Sequence, residues 1–158
     1  MANNEELLQP QAVYNTICTL LHERGYRIDP DPQRMLITFN IPSKVLSMDC
    51  VIRVEEDGQF VRLMFPLPFT TAQDKMFQLS IAVDTATYNS IDGFFKYDVT
   101  QNVLVYELNF SYRYTKLTGK LLSYMILTAK NSVESYFPPL RDMNLGKIDL
   151  VEFMRTVH

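Results

Sequence analysis

Apolar positions recur along the chain in two rhythms, one helical and one of strict alternation, and the changes between them mark out the elements. Val13, Ile17, Leu20 and Leu21 fall three and four residues apart, with Tyr14 and Cys18 widening the stripe. That spacing predicts an amphipathic helix over residues 10–24. Pro10 suits its first turn, where a missing N–H costs nothing, and Gly25 suits its end. His22 and Arg24 lie near the negative end of its dipole. Residues before Pro10 either extend this helix or precede it.

The two prolines and two aspartates between Tyr26 and Pro32 read as a turn. Alternation then begins. Met35, Ile37, Phe39 and Ile41 share one face of a strand, which Pro42 and Ser43 break, and Met48, Cys50, Ile52 and Val54 share one face of a second, over 48–55. Asp57-Gly58 is a strong hairpin signal, because a type I′ turn needs positive φ at both central residues. The return strand, 60–65, is expected to stop at Pro66 and Pro68, completing a three-stranded antiparallel meander.

The stretch 70–91 fits both rhythms. Leu79, Ile81 and Val83 alternate as in a strand, whereas Met76, Leu79, Val83 and Ala86 form a helical stripe. Its length without Gly or Pro exceeds that of a typical strand and favours a helix, and Thr71 and Asp74 have capping-box spacing. Gly93 ends it. Strands follow over 94–98 and 103–112, joined by a turn at Thr100-Gln101-Asn102. In the second, Leu104, Tyr106, Leu108, Phe110 and Tyr112 share an apolar face, and Val103, Val105, Glu107 and Asn109 a mixed one, as in a sheet covered on one side. Leu122, Ile126, Ala129, Val133 and Phe137 then predict a long helix over 116–136, stopped by Pro138-Pro139. A short amphipathic helix is expected over 147–157. The fold class read from this order, α-β-β-β-α-β-β-α, is α+β: an antiparallel sheet packed by helices, with residues 1–145 forming one domain and 146–158 a C-terminal arm or short helix. Ile148, Val151, Phe153 and Met154 would dock that arm on the same subunit or across a dimer.

Composition narrows the function. The chain has 158 residues, 47% hydrophobic and 21% charged, enough for a sizeable core. A net charge of −3 and a pI near 5.3, with no run of Lys or Arg, argue against a nucleic-acid binder that relies on a basic field. Cys18 and Cys50 lack CxxC spacing and read as small apolar residues in a reducing compartment. The N-terminus MANNEELLQP has no signal-peptide pattern, and no window is apolar enough to span a membrane. A cytoplasmic location is expected.

Little points to catalysis. The two histidines are His22, near a helix end, and His158 at the C-terminus. No GxSxG, HExxH or Walker-type loop is present. Glu55-Glu56-Asp57 precedes a glycine but lacks EF-hand spacing and reads as a solvated turn; no metal or cofactor is expected. The remaining signal is aromatic: Phe94, Phe95, Tyr97, Tyr106, Phe110, Tyr112 and Tyr114 interleave on the last two strands. The simpler reading packs these rings under a helix. The functional one makes Phe95, Tyr97, Tyr106, Phe110 and Tyr112 a protein-interaction surface, since Tyr anchors many interface hot spots. On that reading, serine at position 95 or 106 weakens partner capture and leaves the fold intact.

Val83-Asp-Thr-Ala-Thr-Tyr-Asn89, then Gly93-Phe-Phe-Lys-Tyr-Asp98, the strand VLVYELNF and a helix reaching Pro138-Pro139-Leu140 resemble the YbjN-like family of bacterial sensory-transduction regulators. The fold of that family is similar to that of the type III secretion chaperones. The resemblance covers residues 10–140. It departs at Val83-Asp84, where the family often carries Leu-Asn, and beyond residue 145. It implies a small bacterial protein without cofactor or catalytic residues, which holds a protein partner, usually as a homodimer. The residues and the resemblance together favour a non-enzymatic, chaperone-like or regulatory protein-interaction module. The alternative is a small-ligand or lipid-binding domain with a cavity between sheet and helices.

Overall fold

A computed structural model describes residues 9–157, and the possible extension of the first helix before Pro10 lies outside them apart from Gln9. The chain runs α1 (Pro10–Glu23), β1 (Ile28–Asp31), β2 (Leu36–Ile41), β3 (Met48–Glu55), β4 (Phe60–Thr70), α2 (Met76–Tyr88), β5 (Phe94–Asp98), β6 (Val103–Ser111), α3 (Gly119–Asn144) and α4 (Leu150–Thr156). It is the expected α+β arrangement of helices on an antiparallel sheet. The meander and the later hairpin merge into one six-stranded sheet, ordered β1-β2-β3-β4-β6-β5, because β4 pairs with β6.

The register puts one buried residue beside another across the sheet. Ile37 faces Ile52, Ile52 faces Leu63, Leu63 faces Leu108, and Phe65 faces Tyr106. The covered face formed this way packs against Ile17 and Leu21 of α1 and Leu122, Ile126 and Ala129 of α3, all in one core. The opposite face is mixed, as the alternation predicts, with Val51, Met64 and Val105 beside Arg53, Arg62 and Glu107. Glu107 is a buried charge there. Although 2% exposed, it is paired with Arg62 at 3.1 Å and with Lys96.

Three breaks read from the sequence are bridged in the fold. The stretch taken as a turn contains edge strand β1, which pairs with β2 from Ile28↔Phe39 to Asp31↔Leu36; Pro30 is tolerated because edge strands need no outward donor. Met35 lies before β2 at φ 55°, outside the alternation assigned to it. β4 runs through Pro66 and Pro68 to Thr70. Its register with β3 ends at Met64; Pro66 is the last residue in register with β6, opposite Val105, and Pro68 falls within the shift that follows, so each proline lies where at least one ladder is interrupted.

The third break concerns α3, which is capped by Thr118 through Leu121 N–H and continues through Pro138 and Pro139 to Asn144. Interior prolines cost about 3 kcal/mol, but the turns beyond them bury Leu140 and Met143 completely or nearly so. Asn144 also ties the helix end to β4, accepting from Ala72 N–H at 2.7 Å and donating to the Thr70 carbonyl at 3.1 Å. The capping box expected at Thr71 and Asp74 does not form. A 3-10 turn, Gln73–Lys75, precedes α2 without a side-chain cap. One does form at α4, between Asp149 and Glu152. There Phe153 is fully buried, and Met154 sulfur lies 3.4 Å from the Thr85 hydroxyl.

Helix α2 also closes the β5 edge. The Thr87 hydroxyl accepts from Phe95 N–H at 2.8 Å and donates to the Phe95 carbonyl at 3.1 Å. These are backbone groups that an edge strand would otherwise offer to another chain. Thr87→Val keeps the shape and strands both groups. It is expected to cost about 2 kcal/mol, read as a lower denaturation midpoint with faster hydrogen exchange at the Phe95 amide.

Candidate protein-binding surface

The aromatic surface expected on the last two strands is largely interior. Phe95, Tyr106 and Tyr112 are 5%, 0% and 1% exposed, because their face of β5 and β6 is the one the helices cover. Phe95 meets Tyr106 edge-on at 5.0 Å and Tyr136 of α3 at 5.3 Å between ring centroids. The hydroxyls are engaged too. Tyr106 donates to the Asp92 carbonyl at 2.6 Å, and Tyr112 to the Glu55 carbonyl at 2.8 Å. Burial raises the pKa of both. Tyr97 and Phe110 are half-buried against the same core, and the Tyr97 hydroxyl bonds to Asn102 Oδ1. As a contact surface, Phe95, Tyr106 and Tyr112 are therefore corrected to core residues, since a ring packed under a helix cannot also meet a partner.

Both cysteines are free. Burial pushes the Cys50 thiol well above its ordinary range and raises that of Cys18, which disfavours thiolate chemistry. His22 lies in the last turn of α1. Among the described residues no group of three or more metal-ligating side chains occurs, and no helix is long and apolar enough to cross a membrane.

Two apolar surfaces remain open. The first is the outer side of α2. Leu79, Ala82, Val83 and Ala86 point into the core, while Phe77 is 76% and Tyr88 87% exposed. Phe77, Ile81, Asp84 and Tyr88 follow one another at intervals of four, three and four, so they line one solvent-side stripe about 16 Å long. The stripe is apolar at its ends and carries the exposed Asp84 between them, with Ile81 half-buried; large rings on a helix are normally covered by a neighbour. The sequence signal was present, but the inward stripe through Leu79 and Val83 absorbed it.

The second is a groove beside α3, formed by adjoining cavities of about 620 and 310 Å³ that share Ile41, Pro42 and Lys130. Ile126, Leu127 and Lys130 form the helix wall, and the β2 end with the following loop forms the other, from Ile41 to Val45. Leu127 is 56% and Val45 40% exposed. Sequence reading passed over this loop because its apolar residues follow no helical or strand period.

No family model matches the chain, and no curated protein matches it in sequence. Solved structures do match in shape. YbjN from E. coli, described as a candidate transcription regulator, superposes with a TM-score of 0.60 over 84% of this chain and 92% of its own, at 12% identity. A chain of the HopA1–SchA chaperone–effector complex superposes with a TM-score of 0.59 over 83% of this chain and 98% of its own, at 9% identity. At such identities the likeness is one of fold, and the chain has the YbjN-like, type III secretion chaperone-like fold that its sequence resembles.

Proposed function

We propose that this chain is a non-enzymatic protein-interaction module, chaperone-like or regulatory, acting in the cytoplasm as a homodimer that holds a further protein. The observation carrying the proposal is the uncovered stripe of α2, whose two ends are Phe77 and Tyr88. A two-fold axis near the middle of the stripe sets Phe77 of one copy against Tyr88 of the other. Such self-complementarity is what a C2 interface requires. Rings of this size dominate interface energetics. The fold neighbours support the wider reading, one being a candidate regulator and the other a member of a chaperone–effector complex. Two free thiols are compatible with a reducing compartment.

The test is solution mass with affinity capture from native extract. Wild type is expected at twice the chain mass with one or two proteins reproducibly enriched. The Phe77→Ser/Tyr88→Ser variant is expected at the single-chain mass. Its denaturation midpoint should change little, because exposed positions away from special features contribute about 0.5 kcal/mol or less. A wild type of single-chain mass that enriches nothing would overturn the proposal.

A further inference from the structure

The groove beside α3 differs in charge from the molecule around it. The chain carries a net charge of −3, yet this groove holds Arg24, Lys44 and Lys130 with a single carboxylate, Glu134. That carboxylate is engaged, accepting from the Ser43 hydroxyl at 2.8 Å and lying 3.9 Å from Lys130. Among the described residues, none of the eight ion pairs includes Arg24 or Lys44.

Arg24 is also held in place. Its Nε donates to Ser123 Oγ at 2.6 Å and its Nη1 to the Leu20 carbonyl at 3.4 Å. The guanidinium lies against Gly119, where a Cβ would come within 2.5 Å of Nη2. A fixed cation binds a carboxylate without losing further side-chain freedom. Between the cations the groove is apolar, with Leu127 and Val45 open to a ligand. Ser123, Leu127, Lys130 and Glu134 stand at intervals of four, three and four along α3, giving a wall about 16 Å long. That length matches about five residues of extended chain.

We propose that this groove binds an extended segment of a partner protein in which apolar side chains alternate with carboxylates. The apolar side chains would lie on Ile126, Leu127 and Val45, and the carboxylates would meet Arg24, Lys130 and Lys44. The proposal rests on the protein-binding reading above and names the chemistry of the segment held.

The full chain should be titrated into two short fluorescein-labelled peptides, one alternating Leu with Asp and the other alternating Leu with Lys, with anisotropy as the readout. The acidic peptide is expected to bind, more weakly as salt rises, and the basic one not to bind. Lys44→Glu/Lys130→Glu should weaken the acidic peptide about tenfold and admit the basic one, with solution mass unchanged and the denaturation midpoint only slightly lower, because Lys130→Glu replaces the pair with Glu134 by a like-charge pair. Phe77→Ser/Tyr88→Ser should leave peptide binding intact. Equal binding of both peptides, or an acidic peptide that binds the double-charge variant as it binds wild type, would overturn the groove assignment. Binding of neither peptide by a dimeric wild type would also overturn it, while leaving the proposed function standing. A single-chain wild type that still prefers the acidic peptide would support the groove and overturn the dimer.

Discussion

Tyr106→Ser is expected to lower stability by about 4 kcal/mol, much of the margin that a domain of this size holds. Tyr106 is fully buried, facing Phe65 across the β4–β6 ladder and packed edge-on against Phe95. Serine removes the ring, leaves a cavity that neighbours fill only in part, and adds a hydroxyl with no assured partner. Tyr106→Phe keeps the ring and loses only the hydrogen bond to the Asp92 carbonyl, for about 1 kcal/mol. Urea denaturation of the two variants measures the difference. If serine left the midpoint unchanged and abolished only partner capture, the ring would belong to a contact surface after all.

Gly93→Ala should be nearly as damaging, by about 3 kcal/mol, or a melting point lower by roughly 6–12 °C. Gly93 sits at φ 74°, which L-residues adopt at a cost. An added Cβ would overlap the Tyr106 hydroxyl and approach the Glu107 carbonyl to 2.9 Å. Of these contacts only the hydroxyl can be removed without losing the ring, whose Cζ would also lie 2.5 Å from the new Cβ. In the Tyr106→Phe background the alanine substitution should cost less, by about 1 kcal/mol, and a double-mutant cycle measures that coupling. Strict additivity would mean that φ, the ring carbon Cζ and the Glu107 carbonyl account for the whole effect. The loop from Tyr88 to Gly93 is thus positioned by contacts beneath it, which matters because its outward residues Tyr88 and Ile91 are 87% and 98% exposed.

The legible parts of the fold were those in which local periodicity and burial agree. The alternation of Cys50, Ile52 and Val54, or of Leu104, Tyr106 and Leu108, has a single interpretation once one face is covered. Gly58 and Gly93 punctuate the chain at positive φ, but the hairpin differs from the type I′ turn read at Asp57-Gly58: its positive-φ pair is Gly58 at 76° and Gln59 at 54°, within a four-residue loop over 56–59. The five aromatics of the last two strands show the limit of periodicity. Periodicity assigned Phe95, Tyr106 and Tyr112 to one face, but it carries no information on whether that face meets water, a partner or the chain's own helices. Phe77 and Tyr88 were as visible in sequence and went unused, because one helix can have two apolar stripes and only packing reveals which is left over.

By itself the sequence determined the order of the helices and of five of the six strands, and the antiparallel alternation, because each follows from near-neighbour sterics and the two periods of the backbone. Only the tertiary structure decided that β4 passes through Pro66 and Pro68, that α3 continues through Pro138 and Pro139, and that the IDPD stretch becomes an edge strand. In each case a local preference of a few kcal/mol was outweighed by partners distant in sequence: the interrupted ladder beside β4, the burial of Leu140 and Met143, and the exposed edge of β2. The groove beside α3 is of the same kind. Arg24, Lys44 and Lys130 are spread over three elements, and only the packing of α1 and the β2–β3 loop against α3 brings their charges to one place.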